Sequence, residues 1–203
     1  MTADTGRRRP YAPRMDPAAR RESLLDAALA VIVADGVHKV SIETVAAAAG
    51  VTRPVVYKHF DDSAALLRAS LRREEGRALA QLSEALDVGD GGDRGRALAV
   101  YDNLLAMFES SPDLWRAVLV LADSATPQFR DRLDAGGELA AGRIEQLLVE
   151  HSPGSAALDG AVVARMIVAL VKESGKLLLG KPDEYPRARL VAAAEAVLGR
   201  FSS

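Results

Sequence analysis

Cysteine is absent from all 203 residues, which excludes disulfide frameworks, thiolate metal sites and thiol redox sensing. Histidine is scarce: His38, His59 and His151 lie scattered along the chain, so neither a bound metal nor a cofactor is expected. No apolar run approaches the roughly 20 residues that span a bilayer. Arg7-Arg8-Arg9 is not followed by a signal-peptide hydrophobic region, so no membrane partner is expected and the cytoplasm is the expected compartment. No segment alternates polar and apolar residues over a useful length, which argues against sheet. A phosphate-cradling glycine loop, a nucleophile elbow and an HExxH motif are all missing, and His151 has no motif partner; the expectation is not an enzyme.

What is present suits a folded chain with a real core, at 49% hydrophobic and 27% charged residues. The net charge of −2 is unevenly spread. Residues 1–60 hold 9 Lys and Arg against 6 Asp and Glu, whereas 61–203 hold 17 against 22. A basic front on an acidic body suits a polyanion met end-on.

Residues 1–15, MTADTGRRRPYAPRM, have two prolines, four arginines and no hydrophobic period, and read as a basic flexible arm. From Pro17 to Asp35 the positions Leu24, Leu25, Ala28, Leu29 and Ile32 recur at helical spacing, with Asp16 as N-cap and Gly36 as the stop. Ser41 opens a second helix over 41–49, closed by Gly50. Thr52 stands where it can cap a third helix with Pro54 in the first turn, VTRPVVYKHF over 51–60. Longer helices follow over 63–86, 95–109, 112–123, 127–150, 157–179 and 184–200, separated by Gly, Pro and Ser clusters. Gly136-Gly137 marks a kink or a close helix contact.

Two short helices joined by Ala49-Gly50-Val51-Thr52 have the form of a helix-turn-helix, whose second helix enters the DNA major groove. Nine residues at about 1.5 Å each give a rod of roughly 13 Å, matched to a groove about 12 Å wide. Thr52 and Arg53 lie at its leading end, where Arg53 can make a bidentate contact to guanine. Tyr57, Lys58 and His59 carry donors for phosphate oxygens. Each has a rival reading: Thr52 as a cap, Tyr57 as core, and the whole helix as a solvated surface. Val56 and Phe60 read as core.

The runs LLDAALAVIVADG (24–36), SIETVAAAAGVTRPVVYKHFDD (41–62) and SAALL (63–67) resemble the amino-terminal DNA-binding segment of TetR-type (TetR/AcrR) transcriptional regulators. The resemblance implies an all-α chain: a three-helix helix-turn-helix domain over 16–62, then a larger helical-bundle domain over 63–203 for effector binding and dimerisation. It places Thr52, Arg53, Val55, Tyr57, Lys58 and His59 toward operator DNA, with Lys39 and Ser41 at phosphate-contact positions. Two residues depart from the pattern. Val40 stands where relatives have a capping threonine, so Ser41 must cap the second helix or that helix begins late. Glu43 occupies a position often basic, and either points away from DNA or disfavours unsuitable sequences.

The resemblance also implies a homodimer on a palindromic double-stranded operator. Stripes that could pair are Leu158, Val162, Met166 and Ala169 on one helix and Leu190, Ala193, Ala194, Val197 and Leu198 on the next, although packing within the monomer explains them equally. It implies an effector pocket for an apolar or amphipathic small molecule. Tyr101, Leu105, Met107, Phe108, Trp115, Leu119 and Phe129 are the bulky candidates, and Asn103, Arg116, Asp123 and Lys172 the polar ones; core and surface roles compete for all of them. The expected function is a repressor released from DNA by its effector. The alternative keeps the head but uses it architecturally, or to recruit a protein partner, without a small-molecule effector.

Overall fold

A computed structural model describes residues 15–87, 93–119, 135–146 and 159–200, with side chains described over the same residues except 93–97 and 197–200. Among the described residues there is helix and turn but no strand. No helix among them is long and apolar enough to cross a membrane.

Helix α1 (Pro17–Asp35) is bounded by local chemistry. Asp16 Oδ2 accepts the backbone N–H groups of Ala18 and Ala19 at 2.9 and 3.2 Å. At the other end Gly36 takes a φ of 90°, open to glycine at little cost, and its N–H donates to the Ile32 carbonyl. After a 3-10 turn over Val37–Lys39, α2 (Ile42–Ala48) opens on a reciprocal cap. Ser41 Oγ accepts the Thr44 N–H at 3.0 Å, and Thr44 Oγ1 accepts the Ser41 N–H at 2.9 Å. Ser41 therefore caps the helix in place of the threonine that Val40 displaces. The exit closes as a Schellman motif: Val51 N–H donates to Ala46 O, Gly50 N–H donates to Ala47 O, and Gly50 supplies the φ of 64°.

Helix α3 (Arg53–Tyr57) is shorter than the nine residues expected. Its five residues rise only about 7.5 Å. The chain tightens after Tyr57, where His59 N–H reaches back three residues to Val56 O, and Phe60 then turns into the core. Thr52 occupies the N-cap position but its side chain makes no capping bond, so that expectation is corrected.

Asp62 Oδ1 accepts the Ala65 N–H and starts α4 (Ser63–Leu86), which rises about 36 Å. The remainder comprises α5 (Asp93–Ser110), α6 (Pro112–Leu119), α7 described over 135–146, α8 (Gly160–Gly180) and α9 (Arg187–Arg200). The far end expected for the 112–123 helix, both ends of the 127–150 helix and the start of the 157–179 helix lie outside the described residues. Helix α9 starts three residues later than the expected 184. Glu184 and Tyr185 both donate to Lys181 O in a turn, and Pro186, which has no N–H, cannot lie inside a helix without breaking its bond ladder.

Two cores form. Leu24, Leu25 and Ala28 of α1 pack with Ile42, Val45, Val56, Phe60, Leu66 and Ala69, so the first turns of α4 join the front helices. Behind them Leu104, Leu105, Phe108, Leu114, Trp115, Ala164 and Leu178 make a larger core from α5, α6 and α8. Leu29 and Ile32 of α1 meet Ala117 of α6 and bridge the two.

Candidate functional site

The α2–turn–α3 unit is apolar inside and polar outside. Val45 and Val56 are fully buried, which fixes the rotation of α3 and leaves Thr52, Arg53, Tyr57 and Lys58 exposed. Tyr57 is 56% exposed, so its core alternative is removed. Val55 and His59 are half-buried beside them. Lys39 is exposed in the 3-10 turn before α2, whereas the Ser41 hydroxyl is committed to the cap. Arg21 of α1 lies 4.9 Å over the Phe60 ring and braces the turn after α3 from behind.

Glu43 does not point away from this surface. Its Oε1 accepts a hydrogen bond from Arg53 Nη2 at 3.0 Å, with both side chains exposed. An exposed ion pair adds only about 0–1 kcal/mol, so its consequence is orientation of the guanidinium more than stability. The sequence reading missed Thr44, because the usual capping partner at that position is Glu or Gln. Also missed was Ser63, whose Oγ accepts the Ile42 N–H at 3.3 Å and ties α4 to α2.

A charged clasp joins α4 to α1. Arg73 Nη1 lies 3.0 Å from Glu22 Oε2 and 2.9 Å from Asp26 Oδ1, while its Nη2 lies 2.6 Å from Glu74 Oε1. Burial alone would lower the Arg73 pKa, but the bonds to Glu74 and Glu22 outweigh it and hold the group above its ordinary value. Glu74 is itself buried and takes a second partner, Arg77, at 3.0 Å.

Behind the clasp lies an apolar cavity of about 140 Å3. Met107, Phe108, Trp115 and Leu119 stand on its wall. Tyr101 and Leu105 do not, contrary to expectation: Tyr101 Oη donates to Ser174 Oγ at 2.8 Å, and Leu105 is fully buried in the core. Phe129 and Asp123 lie outside the described residues. Among the polar candidates Lys172 reaches the wall, Asn103 does not, and Arg116 is spent on Asp113 at 3.2 Å. Leu29 and Ile32 of α1 and Leu71, Leu79 and Leu82 of α4 complete the enclosure. No local pattern marks those five, since the wall exists only where distant helices meet. Trp115 is held edge-on to Phe108 at 5.2 Å, and its Nε1 donates to Gln81 Oε1 at 2.9 Å. Helix α8 approaches so closely that a Cβ on Gly175 would lie 2.6 Å from Phe108 and from Leu119.

On the outer face of α8, Val162 is 51% and Met166 67% exposed, with Ala169 exposed beside them. Leu170, at 59%, extends this stripe and was not foreseen. Leu190 follows the alternative reading within the monomer, packing partly buried against the chain's own rear core. Ala193 is exposed and Ala194 half-buried, whereas Leu158 and the side chains of Val197 and Leu198 lie outside the described residues.

Residues 24–70 match the model of a family described as bacterial regulatory proteins, tetR family. The chain is 37% identical over 83 residues to the HTH-type transcriptional regulator BetI of Yersinia pestis (strain Pestoides F), covering 39% of this chain and 42% of BetI. It therefore spans less than half the length of that curated relative. Similarity to the HTH-type transcriptional activator FasR of Mycolicibacterium smegmatis is 26% over 160 residues, 79% of this chain and 72% of FasR. A TetR-like transcriptional regulator from Rhodococcus sp. RHA1 shares the fold with a TM-score of 0.69 and 21% identity, over 93% of this chain and 98% of that one.

Proposed function

We propose, from the match of residues 24–70 to the tetR family model, that the chain is a cytoplasmic, site-specific regulator of transcription of that family. It binds double-stranded operator DNA as a homodimer and is released by a small molecule held in the rear cavity. The observation that carries this reading is the exposure of Thr52, Arg53, Tyr57 and Lys58 on a short helix whose opposite side is locked into the core by Val56. Such a rod can present Arg53 to base edges and Lys58 to phosphates. Residues 16–62 serve as the DNA-binding head and 63–203 as the effector and dimer body, with the first turns of α4 packed into the core of the head. The exposed Val162, Met166 and Leu170 supply the apolar stripe for pairing with a second copy.

Because Leu29 and Ile32 of α1 help to wall the cavity, an effector there bears directly on a helix of the head. It releases DNA only if it binds one arrangement of the heads better than the other. Repression follows where the operator overlaps a promoter. The likeness to FasR, named an activator, favours a second reading in which the same dimer binds upstream and promotes transcription.

Binding of the purified protein to sheared genomic DNA at physiological salt, with competitor present and bound fragments sequenced, tests the proposal. A few enriched palindromes are expected. Broad retention that fades with salt would instead support the architectural use of the head.

A further inference from the structure

Among the described residues, the lining of the rear cavity is apolar except at three ionisable side chains, Glu74, Glu75 and Lys172. Two of the three are already engaged. Glu74 is gripped by Arg73 at 2.6 Å and by Arg77 at 3.0 Å, so its charge is answered within the protein. Glu75 is also engaged by an interaction elsewhere in the protein. Lys172 of α8 is half-buried on the wall and has no ion-pair partner among the described residues. Its Nζ lies across α7 beside Gly137, where a Cβ would come within 2.9 Å of it. The bare backbone of Gly137 thus leaves room for the ammonium at the cavity edge.

We propose that this cavity takes an amphipathic anion, a compact apolar body bearing a single carboxylate-type head, with Lys172 as the counter-ion. The inference rests on the effector reading above and names the ligand class for it. A half-buried ammonium on an apolar wall gains most from an anion, because a charge removed from water needs an opposite charge and hydrogen bonds in return. A neutral alcohol of the same length satisfies one hydrogen bond but no charge, and an amine meets like charge. The volume of about 140 Å3 sets the body, since a cavity of about 150 Å3 holds a benzene-sized molecule. A body of about six carbons is the matching size, with the polar head and its nearest methylenes at the cavity edge beside Lys172.

Trp115 is the sole tryptophan and stands on the wall, so its fluorescence reports occupancy in the full-length protein. Titrations with octanoate, 1-octanol and octylamine vary the head at constant tail. Octanoate is expected to bind about tenfold more tightly than octanol, the difference between a charged and a neutral hydrogen bond, with octylamine weakest. Lys172→Gln should bring octanoate to the level of octanol while moving octanol less than twofold, and Lys172→Glu should reverse the order of octanoate and octylamine. Gly137→Ala, which displaces the ammonium, should reduce the preference for the anion without abolishing octanol binding. Octanoate and octanol binding equally well to the unsubstituted protein would overturn the proposal while leaving the effector cavity intact, and that comparison needs no variant. No binding of any of the three, by fluorescence and by calorimetry at saturating concentrations, would overturn both.

Discussion

In the proposed function, base reading turns on Arg53. Its Nη2 is held by Glu43 at 3.0 Å, which aims the rest of the guanidinium before DNA arrives. Arg53→Ala is expected to cost about 1–3 kcal/mol on the enriched site and to relax preference at one base pair, measured by competition against single-base variants. Lys58→Ala should instead weaken all sequences alike and lower the salt slope by about 1. A uniform loss for Arg53→Ala would make it a phosphate contact. Gly175 carries an expectation of a different kind. Its absent Cβ would fall 2.6 Å from Phe108 and Leu119, both in the core, so Gly175→Ala should destabilise the fold by about 1–3 kcal/mol in urea unfolding.

Helix α2 has seven residues and α3 five, lengths at which an isolated helix does not persist in water. The Ser41–Thr44 cap, the Gly50 exit and the buried Ile42, Val45 and Val56 hold them. The longer α4 is registered on α1 by Arg73, which gathers Glu22 and Asp26 from one helix and Glu74 from its own. Arg73→Leu should cost about 2–3 kcal/mol of stability, less than full breakage of a buried pair because Glu74 keeps Arg77. Arg73→Lys should recover only part of that, since an ammonium cannot span three carboxylates as a fork does. Equal urea midpoints for Arg73→Leu and the unsubstituted protein would show the clasp to be idle.

For the molecule as a whole, the exposed Val162, Met166 and Leu170 on α8 set the expectation for assembly. Met166→Glu combined with Leu170→Glu places charge on the face proposed to pair and should turn the expected dimer into a monomer in sedimentation, with loss of binding to a full palindrome. A variant that stays dimeric would move the interface elsewhere. Across the molecule, the cavity wall draws on α1 and on α4 through α8, so a ligand held there would touch both a helix of the head and the helix that carries the exposed stripe.

The front of the molecule was legible in the letters because its signals are local. Asp16, Ser41, Gly36 and Gly50 act on backbone groups within a few positions of themselves, and the apolar period of α1 names its buried face without reference to any partner. What those letters could not decide is whatever depends on helices far apart in the chain meeting. Glu43 and Arg53 are ten positions apart, Arg73 and Glu22 fifty-one, and each pair exists only because packing brings its helices side by side. The same holds for the wall that includes Leu29 and Lys172 but leaves out Leu105, and for Leu190 turning inward while Leu170 stays out. Hydrophobic period reports that a face is buried, and tertiary contact alone decides whether it is buried against core, cavity or a second chain.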